Sequence, residues 1–265
     1  MIDFHNHILP NVDDGSKSVE MSLEMLREAE KQGVSDVVNT VHYQHPKMYG
    51  IDTSYNFIKT EIDKLQSIVD HNNIKIKIHA GAEVFFDYNL TEILSNPITT
   101  IGGGKYMLIE FQTLSLPKDY EKTIFDLQLQ GVTPIIAHPE RYRPIQNNLK
   151  KMSEWLGRGY IIQLDAGSLL GHFGQHAKEC AMKIINMGAC HIIGSDAHNN
   201  KKRNFVLKDA FRIAESILGP DNLNNIILNA ERVVSGVACE SSITNMKNIN
   251  RDSMLQRIKN RIIRK

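Results

Sequence analysis

The sequence predicts an α/β barrel built from seven strand–helix units, and three observations carry this. Seven short apolar runs, at residues 2–7, 35–42, 74–83, 106–111, 133–138, 160–165 and 190–196, have the length and character of strands. Helical patterns lie between most of them, so successive strands run parallel, and seven such units close into a barrel rather than spread as an open sheet. Six of the seven runs end in, or lead straight into, a side chain able to bind metal; catalytic groups of such barrels sit at the carboxyl ends of the strands. A chain of 265 residues is the size at which one barrel fills the whole domain.

In chain order, the first run carries His5 and His7, two apart and so on one face of an extended strand. Residues 19–32 form a helix with Met21, Met25, Leu26 and Ala29 along one stripe and Gly33 as its stop. The second run ends in His42. Helices are expected over 54–71, 119–130, 149–158, 175–187 and 204–218, several closed by glycine. The third run ends in Glu83. The fourth places Glu110 between Met107-Leu108-Ile109 and Phe111, where a bare carboxylate is costly to bury. The fifth ends in His138 after Pro134-Ile135-Ile136-Ala137, and the seventh in Asp196, which opens Asp196-Ala197-His198. The sixth ends in Asp165, which stays outside the metal set.

Composition excludes several classes. The formal net charge of +1 gives no case for nucleic-acid binding. Residues 1–10 lack the basic and apolar regions of a signal peptide, and no run approaches the roughly 18 apolar residues of a membrane span. Cys180, Cys190 and Cys239 are odd in number and widely spaced, which fits a reducing cytoplasm and small buried thiols. Residues 241–265 differ in character. Lys247, Arg251, Arg257, Lys259, Arg261, Arg264 and Lys265 face a single acid, Asp252. This basic tail reads first as a frayed or disordered terminal helix; its second reading is an amphipathic segment near a partner or an anionic membrane surface.

Nine candidate ligands result: His5, His7, Asp14, His42, Glu83, Glu110, His138, Asp196 and His198. Imidazole and carboxylate without thiolate suits Mn, Fe or Zn, and nine ligands are too many for one ion, which points to a multi-metal hydrolytic centre. Arg141 and Arg203 follow His138 and His198 closely, and guanidinium favours planar contact with phosphate, so the expected substrate is a phosphate ester.

His5-Asn6-His7-Ile8-Leu9-Pro10 with Asp13-Asp14-Gly15, Leu108-Ile109-Glu110-Phe111, His138-Pro139-Glu140-Arg141-Tyr142 and Ser195-Asp196-Ala197-His198-Asn199 resemble the PHP (polymerase and histidinol phosphatase) superfamily. More narrowly they resemble the bacterial manganese-dependent protein-tyrosine phosphatases of capsule and exopolysaccharide operons, the CpsB/CapC type. The resemblance runs from Met1 to about Gly236. Thr40-Val41-His42 departs from it, because the family often has proline before the histidine.

The resemblance implies a distorted seven-stranded TIM-like barrel over residues 1–240 and three divalent ions, foremost Mn. His5, His7 and Asp196 would hold one ion, Glu110 and His138 a second with Glu83 bridging the two, and Asp14, His42 and His198 the third. Arg141 and Arg203 match the phosphate-binding arginines. The implied partner is a phosphotyrosine protein, namely the tail of a membrane tyrosine autokinase that controls polysaccharide export. A tyrosine phenol, with a pKa of about 10, leaves more easily than a serine alkoxide, so no general acid is required and none is evident in the sequence. Cysteine-dependent tyrosine phosphatases carry an arginine six residues after the nucleophile; here Asn186, Asp196 and Asn245 stand there, which closes that route. Two alternatives stay open: a phosphoesterase acting on a small substrate such as histidinol phosphate, and a metal-binding regulatory module without turnover.

Overall fold

The computed structural model describes residues 1–240; the basic tail lies outside the described residues. Seven parallel strands form one sheet in sequence order: β1 (Ile2–Asn6), β2 (Asp36–Tyr43), β3 (Lys77–Phe85), β4 (Tyr106–Glu110), β5 (Thr133–Ala137), β6 (Ile161–Asp165) and β7 (Ile192–Gly194). The sheet curls until its edges meet. An isolated parallel bridge joins Asn6 to Ala197, the His7 N–H donates to Ala197 O at 2.9 Å, and the Asp196 N–H donates to His5 O at 2.7 Å. Asp3, fully buried, locks this seam by accepting from the Ser195 N–H at 2.8 Å and the Ser195 hydroxyl at 2.7 Å.

The barrel is filled in layers. Phe4, Val38, Leu108, Ile135, Ile161 and Ile192 form an inner apolar cluster distinct from the larger outer one, and Ile101, Tyr106, Ala230 and Val233 close it below. Two residues further along each strand the same face reappears. Val38 is thus followed by Thr40 and His42, Leu108 by Glu110, and Ile161 by Gln163 and Asp165. The same alternation that packs the floor therefore delivers a polar layer at the carboxyl ends.

The outer layer holds nine helices among the described residues. They are α1 (Val19–Lys31), α2 (Tyr55–His71), α3 (Tyr120–Leu129), α4 (Arg143–Asn147), α5 (Lys150–Gly157), α6 (Ala166–Leu170), α7 (Gln175–Asn186), α8 (Leu207–Leu218) and α9 (Pro220–Val234). Helix α1 starts where the Ser18 hydroxyl accepts from the Met21 N–H, and it buries Leu23, Met25, Leu26 and Ala29. Among the described residues no helix is long and apolar enough to cross a membrane.

The structure corrects several expected boundaries. The run 74–83 becomes a strand only from Lys77 and continues to Phe85, because Ile74 and Ile76 are spent packing the lead-in against the outer core. The run 190–196 yields three strand residues, since Asp196 takes a left-handed φ of 47° that ends the extended chain. The helix expected over 204–218 begins at Leu207. Helices α4, α6 and α9 were not expected.

Candidate metal centre

The nine expected ligands converge on one end of the barrel, and their donor atoms fall into sets. In the first, His5 Nε2 lies 3.3 Å from Glu83 Oε2, 3.4 Å from Asp196 Oδ1 and 3.4 Å from His7 Nε2; His7 Nε2 lies 3.5 Å from both carboxylate oxygens. An ion about 2.1 Å from four tetrahedral donors sets those donors about 3.4 Å apart. Five of the six spacings among these atoms thus match a tetrahedral shell, and all four atoms lie within 4.8 Å of one another.

The imidazoles are turned for that task. His5 Nδ1 meets Gln163 Oε1 at 3.1 Å, and His7 Nδ1 meets Asp13 Oδ2 at 2.8 Å. An acceptor at Nδ1 keeps the proton there and leaves the Nε2 lone pair facing the cluster. Asp13 is fixed in turn by the Gly15 and His42 N–H groups.

A second set surrounds Glu83, whose Oε1 meets His138 Nε2 at 2.8 Å; Glu110 Oε1 stands 3.9 Å from the same nitrogen. In the third, Asp14 Oδ1 lies 3.3 Å from His42 Nε2 and 3.2 Å from His198 Nε2. His198 Nδ1 bonds Asp196 O at 2.9 Å, which again presents Nε2. His42 faces both ways, with its Nδ1 3.1 Å from Glu83 Oε2 and 4.0 Å from Glu110 Oε2. A neutral imidazole offers one lone pair, so it serves one set at a time.

The electrostatics ask for a cation. Burial drives the Glu110 carboxyl up, and the Glu83 charge adds to this, to about 8. Burial and the His7 charge push the His42 ring down, but Asp14 and Glu83 outweigh them and hold it up at about 10. Burial also raises Glu83, yet the charge of His5 and hydrogen bonds with His138, His42 and His5 hold it well below the carboxylate range. Asp196 Oδ1 and Glu110 Oε2 are buried oxygens with no hydrogen-bond donor. Carboxylates crowded this closely in a low dielectric are stable only with positive charge among them. The donor set therefore fits metal.

Local backbone geometry serves the same end. His138 and Asp196 are non-glycine residues at φ of 31° and 47°, an arrangement that costs of order 1–3 kcal/mol each and is held only where the surroundings over-determine it. It turns both side chains back over the barrel mouth. Gly194 must be glycine because a Cβ would stand 2.8 Å from His5 Cβ and 2.9 Å from Gln163 Nε2.

Both expected arginines reach the centre. Arg141, at the end of a 3₁₀ turn over Pro139–Arg141, pairs with Asp165 and lies 2.7 Å from Asp196 Oδ2; Arg203 Nη2 is also 2.7 Å from Asp196 Oδ2. Asp196 thus divides its oxygens, Oδ1 toward the histidines and Oδ2 toward the guanidiniums. They border a recess of about 170 Å³ lined also by His45, Lys47 and Met48. A larger cleft, about 710 Å³ beside α2 and the lead-in to β3, contains none of the nine candidate ligands, so size is a poor guide to the chemistry here.

Beyond the nine candidate ligands, the centre also gathers Asp13, Gln163, Asp165 and His45. His45 Nε2 is 3.7 Å from Glu110 Oε2 and its ring centroid is 4.7 Å from that of His42. Gln163 was detectable, because it is a polar residue inside the apolar run 160–165.

Comparison with known proteins shows the family. The sequence pattern described as "Capsular polysaccharide synthesis, CpsB/CapC" matches residues 1–235. The chain belongs to the CpsB/CapC family. It is 34% identical to CapC of Staphylococcus aureus over 236 residues, covering 89% of this chain and 91% of that protein. It is 32% identical over 232 residues to the tyrosine-protein phosphatase YwqE of Bacillus subtilis (strain 168), covering 87% of this chain and 90% of YwqE. A crystal structure from work on YwqE from Bacillus subtilis and CpsB from Streptococcus pneumoniae, described as unique metal-dependent tyrosine phosphatases, superposes with a TM-score of 0.85 at 30% identity. It covers 91% of this chain and 96% of that one. The seven-stranded barrel of this chain is thus a CpsB/CapC-type fold.

Proposed function

We propose that this protein is a metal-dependent protein-tyrosine phosphatase of capsular or exopolysaccharide synthesis. The observation that carries the reading is the close grouping of His5, His7, Glu83 and Asp196 donor atoms, all within 4.8 Å of one another, beside two guanidiniums gathered on Asp196 Oδ2. His5, His7 and Asp196 would hold one ion, Glu83, Glu110 and His138 would serve a second, and Asp14, His42 and His198 would hold a third. When bound, the ions, Mn with Fe and Zn also suited to these donors, supply Lewis acidity and a nucleophile at neutral pH.

The chain's own groups do the rest. Arg141 and Arg203 hold non-bridging phosphoryl oxygens through planar N–H pairs and offset the charge that builds on them. Asp165 and Asp196 keep both guanidiniums at the mouth before substrate arrives. The shallow recess admits a phosphoryl group and leaves the remainder of a peptide outside. A phenolate needs no protonation to depart, so this reading assigns no general acid.

The substrate is phosphotyrosine on a protein, with the tail of a membrane tyrosine autokinase as the partner and the cytoplasm as the compartment. The family's place in capsule synthesis supports this partner. Metal-stripped protein resupplied with Mn, Fe or Zn should hydrolyse phosphotyrosine peptides far faster than phosphoserine peptides or histidinol phosphate. Equal or better turnover of histidinol phosphate would replace this reading with the small-substrate phosphoesterase. No turnover of any of the three would leave a metal-binding module.

A further inference from the structure

Phe173 is a half-buried aromatic that belongs to neither apolar cluster. What it does touch is charge. The Arg141 Cζ lies 3.7 Å from its ring centroid, and the Arg203 Cζ lies 5.6 Å from it. Two guanidiniums that share one carboxylate oxygen thus also share one aromatic ring.

The segment that carries Phe173 is built as a unit. Asp165 ends β6, caps α6 by accepting from the Ser168 N–H at 3.1 Å, and presents its other oxygen to Arg141. The His172 N–H returns to Gly167 O at 2.9 Å, and Gly171, at φ of 91°, turns the chain. Gly167 makes room for the ring, because a Cβ there would stand 3.0 Å from Phe173 Cε2. One stretch from residue 165 to 174 therefore grips Arg141 twice, by a carboxylate at its edge and by an aromatic ring over its face.

We infer that Phe173 is a positioning residue, whose ring face holds the Arg141 and Arg203 guanidiniums in the plane that meets phosphoryl oxygens. The negative face of the ring attracts both cations without competing for their N–H groups, as a second carboxylate would. When phosphate takes the inward N–H edges, the ring still fixes the planes from outside. The inference rests on the phosphatase reading only in its choice of substrate; the arginine stack is geometry.

The test compares Phe173→Leu, which keeps apolar bulk and loses the π face, with Phe173→Tyr, which keeps both. Cation–π contacts at partly desolvated sites support an expected fall of about tenfold in kcat/KM on a phosphotyrosine peptide for Phe173→Leu, most of it restored in Phe173→Tyr. Metal content should be unchanged. Inhibition by inorganic phosphate should weaken in parallel, and binding of phosphate to the metal-loaded protein, read by calorimetry, gives the same answer if the natural substrate proves to be another ester. In the wild type, ring current should move the Arg141 Nε–H resonance upfield of an exposed arginine. The inference is overturned by unchanged phosphate affinity in Phe173→Leu, by equal impairment of the Leu and Tyr variants, or by an unshifted Arg141 resonance.

Discussion

His5, in β1, and His7, just past its end, place their Nε2 atoms 3.4 Å apart, while their Nδ1 atoms turn away to Gln163 and Asp13. Two imidazoles at that separation repel unless a cation joins them, and the outward acceptors hold them there. The orienting partners should therefore matter almost as much as the ligands. Asp13→Ala and Gln163→Ala are expected to weaken metal affinity by about 10–100-fold, the usual cost of losing such a partner. Titration of stripped protein with Mn, followed by calorimetry, checks this; unchanged affinity in both variants refutes the orienting role.

Arg141→Ala and Arg203→Ala should act on the other side of Asp196. Each removes donors aimed at developing phosphoryl charge, so kcat/KM should fall by about 10²–10³ with metal content retained. His138→Ala should lose metal first. Loss of metal from either arginine variant would mean that the guanidiniums hold the centre together rather than the substrate.

The thiols should be bystanders. Burial pushes Cys180 up to about 12 and Cys239 up to about 11, and pushes the fully buried Cys190 up as well. Thiols so raised carry almost no thiolate at neutral pH. Replacing all three with alanine should leave turnover within about twofold, at a packing cost of about 1–2 kcal/mol per buried site. A collapse of turnover in one folded variant, read against its circular dichroism, would reopen a thiolate route.

His191 gives the fold a pH dependence separate from the metal ligands. Burial lowers its ring to about 4 from an ordinary 6.5, and its Nδ1 accepts from the Ile162 N–H at 3.2 Å. The unfolded chain takes up the proton below about 6.5 and the folded chain does not, so stability is full above that pH and is lost as pH falls toward about 4. The total is at most about 3 kcal/mol. His191→Gln keeps an acceptor for Ile162 and should flatten the fall in urea midpoint between pH 7.5 and pH 5. An identical slope in both proteins would count against the assignment.

Much of this was legible because the barrel writes its active end into its strands. Each ligand from His42 to Asp196 closes or follows an apolar run, and the inward alternation fixes its direction. The supporting groups were harder to read for physical reasons. Asp165 and Asp196 look alike as strand-terminal acids, and only the fold shows that Asp165 turns to Arg141. Phe173 reads as a loop aromatic between glycines until Arg141 is seen against it. Helix α9 was hidden by Pro220 and by Asn222, Asn224, Asn225 and Asn229, weak helix formers that tertiary burial of Leu223, Ile226, Ala230 and Val233 overrides. The strand β7 looked longer because its apolar run continues to Asp196, whose left-handed backbone ends it early.

The central claim is that hydrolysis of phosphotyrosine depends on metal held by these nine ligands. The most direct measurement is the rate on a phosphotyrosine peptide before exhaustive chelation, after it, and after stoichiometric return of Mn, with elemental analysis at each stage. More than one transition-metal equivalent per chain, loss of the rate on stripping and its recovery on return are expected. Full activity in protein free of metal would contradict the account.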